Sequence, residues 1–108
     1  MACPAMLVTG KADQNGINLT FLNTGKVPIT EVEFYCPTSM SHGTRRSPCG
    51  GDNGIFFPGA YNTVRLSPPN TATRSILVSF KSIRLYDGEA WIKGQDQPCR
   101  PLRIPIKR

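Results

Sequence analysis

The sequence predicts an all-β domain, an immunoglobulin-like antiparallel sandwich of about seven or eight short strands held by disulfides. Apolar residues recur at every second position in several short runs, and turn-forming residues separate the runs. Ten Gly and ten Pro scattered through 108 residues are typical of short strands and many turns. The length fits a single domain, residues 1–108, with a modest core. A small β-barrel is the alternative architecture.

The first two predicted strands lie near the start of the chain. A short apolar run at residues 5–9 is followed by a polar segment at 10–16, which predicts a turn. Residues 17–22 alternate between apolar and polar side chains, so they predict a strand with one buried face. That strand ends at the turn formers of residues 23–26.

The third predicted strand has an apolar face with Val32 and Phe34 and a polar face with Glu31 and Glu33. Paired carboxylates are typical of general acid and base catalysis, and with His42 they suggest a small nuclease or toxin as one hypothesis. Carboxylates two residues apart on a strand more often solvate that face or meet cations of the next strand. We favour that interpretation, and no catalytic residue is assigned.

Residues 37–54 are rich in turn formers and almost free of apolar side chains, which predicts a long loop. Loops of this length are usually functional or mobile. Such a loop would display His42, Arg45 and Arg46, which suit a phosphate or an acidic partner because the arginine fork matches such groups. A solvated surface loop without a ligand is the favoured alternative.

The second half of the chain continues the pattern of short strands. A brief apolar run at 55–57 and an alternating run at 61–66 predict two strands. Residues 67–70 form a connection, because consecutive prolines remove amide donors. An alternating run at 102–106 predicts a final strand, which its proline confines to a sheet edge.

The central feature is a predicted hairpin over residues 74–93, turned at Asp87-Gly88. Apolar residues occupy even positions before Lys81 and odd positions after it, which indicates a β-bulge there or, less favoured, a corner between two strands.

A two-residue turn pairs Arg84 with Trp91 and places Arg84, Tyr86 and Trp91 on the polar face of the hairpin. These side chains would stack on a sugar ring or anchor a protein, with a cation-π pair of roughly 0.5 to 1 kcal/mol. A register that differs by one residue would instead make Trp91 part of the core, and we favour the core over the binding platform.

The four cysteines predict two disulfides. No CxxC pair occurs and the sequence has one histidine, so neither a metal site nor a cofactor is predicted. Of the three pairings that four cysteines allow, we favour Cys36 with Cys49 and Cys3 with Cys99. Two disulfides imply an oxidising compartment. Four buried thiols in a cytosolic protein are the alternative.

No apolar run approaches the roughly 18 residues of a membrane-spanning helix. The first residues lack the features of a signal peptide, so we expect either a cytosolic protein or the mature form of a secreted or periplasmic one, and the cysteines favour the latter.

The net charge of +6, from 13 basic and 7 acidic residues, favours an acidic or polyanionic partner. A basic cluster lies near the C-terminal end, with Asp96 as its single acid. Its members are Lys93, Arg100, Arg103, Lys107 and Arg108.

Three segments carry a resemblance, INLTFLNTGKVPITEVEFYC, FFPGAYNTVRL and FKSIRLYDGEAW. In this order they resemble a pattern in small exported bacterial β-sandwich proteins of unassigned function. The likeness covers Ile17 to Trp91, implies an extracytoplasmic sandwich and carries over no functional residue.

These observations predict a noncatalytic extracellular binding or adhesion module that recognises a protein or a glycan. One alternative is an assembly subunit of a secreted particle that docks through the basic C-terminal tail. Another is a small basic polyanion-binding protein or toxin. The oligomeric state stays open.

Overall fold

The computed structural model describes residues 1–40, 43–68 and 74–107, those at 37–40 and 43–48 by their backbone alone. Regular secondary structure in these residues consists of strands. In chain order they are β1 Ala5–Asp13, β2 Gly16–Asn23, β3 Ile29–Met40, β4 Gly43–Phe56, β5 Tyr61–Leu66, β6 Ser75–Leu85, β7 Ala90–Ile92 and β8 Leu102–Pro105.

The strands form two antiparallel sheets that pack face to face. One sheet has the order β1-β2-β5, and the other has the order β4-β3-β6-β7 with β8 also paired to β6. When β1 to β7 are labelled A, B, C, C′, E, F and G, the sheets become A-B-E and C′-C-F-G, which is an immunoglobulin-like arrangement. The predicted sandwich is confirmed, and the sheets do not close into a barrel.

Aromatic rings from both sheets fill the centre of the core. Phe21 comes from the three-stranded sheet, and its ring centroid lies 6.1 Å from that of Phe80 in the five-stranded sheet. Phe34 lies 5.0 Å from Phe80, and Trp91 lies 6.5 Å from Phe80 on the other side. All four side chains are buried. Edge-to-face and tilted contacts of this kind add to the free energy gained by burial.

Asn23 is a fully buried polar residue that connects two loops at one end of the sandwich. Its side-chain amide donates to the carbonyls of Val27 at 3.0 Å and Phe56 at 2.9 Å. Its side-chain oxygen accepts the amide of Gly25 at 2.9 Å. Because every polar atom of this side chain is satisfied, its burial holds the two loops together rather than destabilising the fold.

The predicted bulge in β6 is confirmed. Phe80 pairs with Phe34 and Ser82 pairs with Glu33, so Lys81 is the extra residue. The bulge lets both halves of one long strand direct their apolar side chains inward despite the change of parity.

The prediction of a long loop at residues 37–54 is wrong, because β3 and β4 form a hairpin whose pairing continues beyond the last pair of β3 with β6. Pairing continues from Tyr35 and Pro48 as far as Met40 and Gly43, whereas β6 contacts β3 only up to the pair of Tyr35 with Ser79. Residues 37–54 show almost no apolar alternation, so the sequence contained no strand pattern to detect there.

The predicted turn at residues 10–16 is also wrong, because β1 continues to Asp13 and leaves Gln14 and Asn15 as the turn. The inward side of this part of β1 offers Gly10 and Ala12 in place of large apolar side chains. A Cβ at Gly10 would contact the end of the Ile104 side chain, which would have to shift.

Both predicted disulfides are confirmed. Cys3 is bonded to Cys99, with their Cα atoms 5.3 Å apart, and this bond ties the two ends of the domain. Cys36 is bonded to Cys49, with Cα atoms 5.5 Å apart, at the base of the β3–β4 hairpin.

Candidate functional site

The β6–β7 hairpin has a three-residue turn, so the predicted register is wrong by one residue. The amide of Gly88 donates to the carbonyl of Leu85 at 3.1 Å, and the amide of Leu85 donates to the carbonyl of Glu89 at 2.8 Å. Gly88 adopts φ 92°, the left-handed conformation that closes this type of turn. The side chain of Asp87 fixes the turn by accepting the amide of Glu89 at 3.0 Å.

Trp91 therefore belongs to the core, and it cannot form the binding platform that the two-residue turn would have created. Ile83, and not Arg84, pairs with Trp91, whose side chain is 1% exposed. Its indole N–H donates to the carbonyl of Gln97 at 2.7 Å. Of the other two predicted ligand-binding residues of this hairpin, Arg84 is exposed on the outer face and Tyr86 lies in the turn with 70% of its surface exposed.

The paired carboxylates of β3 meet cations of the neighbouring strand. Glu33 lies 3.2 Å from the ammonium of Lys81, and Glu31 lies 3.7 Å from the guanidinium of Arg84. Lys81 also lies 5.8 Å from the centre of the Tyr35 ring. This arrangement confirms the favoured interpretation of the two carboxylates as members of a charged sheet face.

A groove of about 440 Å³ runs beside these carboxylates, along the part of β4 that follows the disulfide. It is lined by Glu31, Val32, Glu33, Gly50, Gly51, Asp52 and Asn53. The described residues contain no group of three or more His, Cys, Asp or Glu side chains placed to hold a metal ion. Because two of the three carboxylates in this groove already hold a cation, we assign no ligand to it.

Two of the predicted site residues lie in the β3–β4 hairpin. Arg45 and Arg46 are in β4, where their backbone pairs with Thr38 and Pro37. His42 lies outside the described residues.

The predicted basic cluster near the C-terminal end is divided between the segment after β7 and the residues on and around β8. Lys93 follows β7, and its amide donates to the carbonyl of Lys81 at 3.1 Å. Arg103 and Lys107 point outward on and after β8, where Arg103 pairs with Leu77. Arg100 is exposed before β8, and Arg108 lies outside the described residues. The tail is part of the fold, because the side chain of Ile104 is buried.

The outer face of the three-stranded sheet brings together residues that the sequence did not assign to a site. Strand register aligns its outward side chains in three rows across β1, β2 and β5. The rows are Met6–Leu22–Tyr61, Thr9–Thr20–Thr63 and Lys11–Asn18–Arg65. We call this surface the three-row face.

Each row has its own chemistry. In the first row Tyr61 is 66% exposed and Met6 is 47% exposed, and Phe57 in the adjoining turn is 61% exposed. In the second row the hydroxyls of Thr20 and Thr63 lie 3.0 Å apart. In the third row two cations flank the amide side chain of Asn18. No described strand covers this face.

The alternation in β2 and β5 shows which of their side chains point outward, and in that respect the sequence contains a signal for this face. It does not show that β1, β2 and β5 are neighbours, because β3 and β4 separate β2 from β5 along the chain. The rows exist only once the strand order is known.

No protein-family model matches this sequence, and no curated protein or solved structure matches it either. Within the described ranges, no helix is long and apolar enough to span a membrane. Fold and surface thus define a disulfide-linked β-sandwich in which no described strand covers the outer face of the three-stranded sheet.

Proposed function

We propose that this protein is a noncatalytic, extracytoplasmic binding module that recognises a glycan on the three-row face. The observation that carries the proposal is the alignment of an apolar row containing the exposed Tyr61, a hydroxyl row and a cationic row on one uncovered face. Kinship with small exported bacterial β-sandwich proteins is part of the same proposal.

The size of the face favours a glycan over a protein. Six residues along three strands give a surface about 20 Å long and about 15 Å wide, or about 300 Å². A standard protein interface covers roughly 800 Å² on each partner. An oligosaccharide matches the smaller surface, since it needs only a few sugar rings in contact.

The chemistry of the rows also suits sugar rings. The phenol ring of Tyr61 offers an apolar plane for the C–H groups of a pyranose and a hydroxyl for hydrogen bonding. The threonine hydroxyls and the amide of Asn18 both donate and accept hydrogen bonds, as a polyhydroxylated ligand requires. Because these groups lie on paired strands, their positions are fixed before the ligand binds.

The two disulfides support an extracytoplasmic location, since such bonds persist in oxidising compartments. They also tie the domain ends and the base of the β3–β4 hairpin, which suits a small module exposed outside the cytoplasm.

A glycan array tests this proposal with three proteins, the unmodified chain, Tyr61→Ala and Tyr86→Ala. Tyr86 is a matched control because it is a similarly exposed tyrosine in the β6–β7 turn, which belongs to the other sheet. We expect the unmodified chain and Tyr86→Ala to bind the same glycans and Tyr61→Ala to lose at least about tenfold in affinity. The absence of any bound glycan, or an equal loss in both variants, would contradict the proposal.

A further inference from the structure

The cationic row of the three-row face continues around the edge of the sandwich. The amide of Lys107 donates to the carbonyl of Ala12 at 2.8 Å, and the amide of Ile106 donates to the carbonyl of Arg74 at 2.9 Å. These contacts place the segment after β8 directly beside β1. We call the resulting surface the basic belt, and its members are Lys11, Arg65, Arg74, Arg103 and Lys107.

The belt cations are exposed and outnumber the one carboxylate that strand register places among them. All five side chains are exposed, and none of them forms an ion pair with a described residue. Asp13 is the one carboxylate that strand register places among these cations. Its side chain accepts a hydrogen bond from the amide of Asn15 at 2.8 Å. By contrast, Lys81 and Arg84 on the other sheet each pair with a glutamate.

Two of the guanidinium groups are held in place by neutral partners. Arg65 donates to the carbonyl of Asn15 at 3.3 Å, and Arg103 donates to the hydroxyl of Ser75 at 2.9 Å. These bonds orient the guanidinium groups without pairing them with a carboxylate. Each guanidinium keeps further N–H donors for an external anion.

The spacing of the cations suits an extended anion. Three strand spacings separate Arg65 from Lys107, a distance of about 15 Å. Neighbouring cations thus lie within or close to the Debye length of about 8 Å at physiological ionic strength, so their fields overlap. A chain of regularly spaced negative charges gains more from such a row than a single small anion does.

We propose that the glycan recognised by this protein is an anionic polysaccharide, sulfated or carboxylated, that runs from the three-row face onto the basic belt. This inference rests on the proposed glycan-binding function and names its ligand class. Charge complementarity favours a polyanion, and the arrangement of the sites favours a polysaccharide over a single-stranded nucleic acid. The belt has no aromatic side chain on which a base would stack, and Tyr61 lies four residues along β5 from Arg65, about 13 Å away.

The test compares two triple variants that carry the same change in net charge. The belt variant combines Lys11→Ala, Arg65→Ala and Lys107→Ala. The control variant combines Lys26→Ala, Lys81→Ala and Arg84→Ala, which remove three cations from outside the belt. Binding is measured to immobilised dextran sulfate, polygalacturonate, uncharged dextran and a DNA duplex at several salt concentrations. Circular dichroism and urea unfolding confirm that both variants fold.

We expect the unmodified chain to bind dextran sulfate or polygalacturonate but not dextran, with an affinity that falls as salt rises. The belt variant should lose at least about tenfold in affinity and show a weaker salt dependence, because fewer counterions are released. The control variant should stay within about twofold, and a belt variant with Lys11→Arg, Arg65→Lys and Lys107→Arg should regain most of the binding.

Three outcomes would overturn the inference. An equal loss in the two triple variants would show that net charge alone governs binding. DNA binding as tight as glycan binding, with the same loss in the belt variant, would show that the belt does not select a polysaccharide. Binding of neutral glycans only, dependent on Tyr61, would support the proposed glycan-binding function and contradict the inference that the glycan is anionic. If no glycan binds at all, the proposed function itself is wrong.

Discussion

Ile83 pairs directly with Trp91 across the β6–β7 hairpin, and both side chains are buried. This pairing follows from the three-residue turn and decides the role of the single tryptophan. It removes Trp91 from the surface and leaves the three-row face, on the opposite sheet, as the place where an exposed aromatic side chain meets polar and cationic rows.

The fluorescence of Trp91 should report a core residue. We expect emission shifted to shorter wavelength than that of free tryptophan, with little quenching by acrylamide or iodide until the protein unfolds, because the indole is 1% exposed. A glycan on the three-row face should change this emission little. Emission typical of a water-exposed indole in the folded protein would contradict the hairpin register.

Replacing Asn23 with alanine should destabilise the protein strongly. The substitution breaks three hydrogen bonds and leaves the buried carbonyl of Phe56 without its side-chain donor. We expect a loss of about 2 to 4 kcal/mol in the free energy of unfolding, measured by urea denaturation. Asn53→Ala is the matched control, and as an exposed site it should change stability by less than about 0.5 kcal/mol. Equal small effects would show that Asn23 does not hold the loops.

Gly51 should resist substitution by alanine, whereas Gly54 on the same strand should tolerate it. A Cβ at position 51 would press on the carbonyl oxygen of Val32, while one at position 54 would meet the Phe56 ring at an ordinary 3.5 Å. We expect Gly51→Ala to cost about 1 to 3 kcal/mol. Gly54→Ala should be neutral or stabilise by up to about 1 kcal/mol. Urea midpoints for the two variants test this difference, and a reversed order would contradict the described pairing of β3 with β4.

Asp96 should make stability depend on pH in the acidic range. The amide of Ile92, at 2.8 Å from its carboxylate, and the terminal ammonium of Met1, at 3.1 Å, lower the pKa of Asp96 below its ordinary value of 3.8. A pKa that is lower in the folded state gives stability that is present above the unfolded pKa and is lost as pH falls through the folded pKa.

Asp96→Asn should therefore lower the melting temperature near neutral pH, and its difference from the unmodified chain should shrink below about pH 4. Asp52→Asn removes the same charge from an exposed position in β4 and serves as the control. A difference between the Asp96 variant and the unmodified chain that stays constant down to about pH 2 would contradict this role.

The sequence predicted the sandwich, both disulfides and the β6 bulge. The sandwich and the bulge follow from the local pattern of apolar residues, and the disulfides follow from the chemistry of the four cysteines. Alternation of apolar residues shows which strand faces are buried, and the change of parity at Lys81 can only be accommodated locally. The two disulfides were the favoured choice among three pairings.

The sequence did not predict the extended β3–β4 hairpin or the three-row face. The hairpin residues are rich in turn formers and lack apolar alternation, so they gave no strand pattern to detect. The three-row face depends on which strands are neighbours in the sheet. β2 pairs with β5, which is distant along the chain, and the paired residues Thr20 and Thr63 are 43 positions apart. The register at Trp91 depends on whether the turn has two or three residues. Asp-Gly suits both turn lengths, so the sequence did not distinguish them.

The most direct test of the account is to locate a bound glycan by amide chemical shifts, with the array's strongest ligand titrated into isotope-labelled protein. We predict that the largest changes occur at Asn18, Thr20 and Thr63, on the three-row face, and that amides of Glu31, Glu33 and Arg84 on the opposite outer face stay unchanged. Changes confined to that opposite face or to the β3–β4 hairpin would contradict the assignment of the three-row face as the recognition surface.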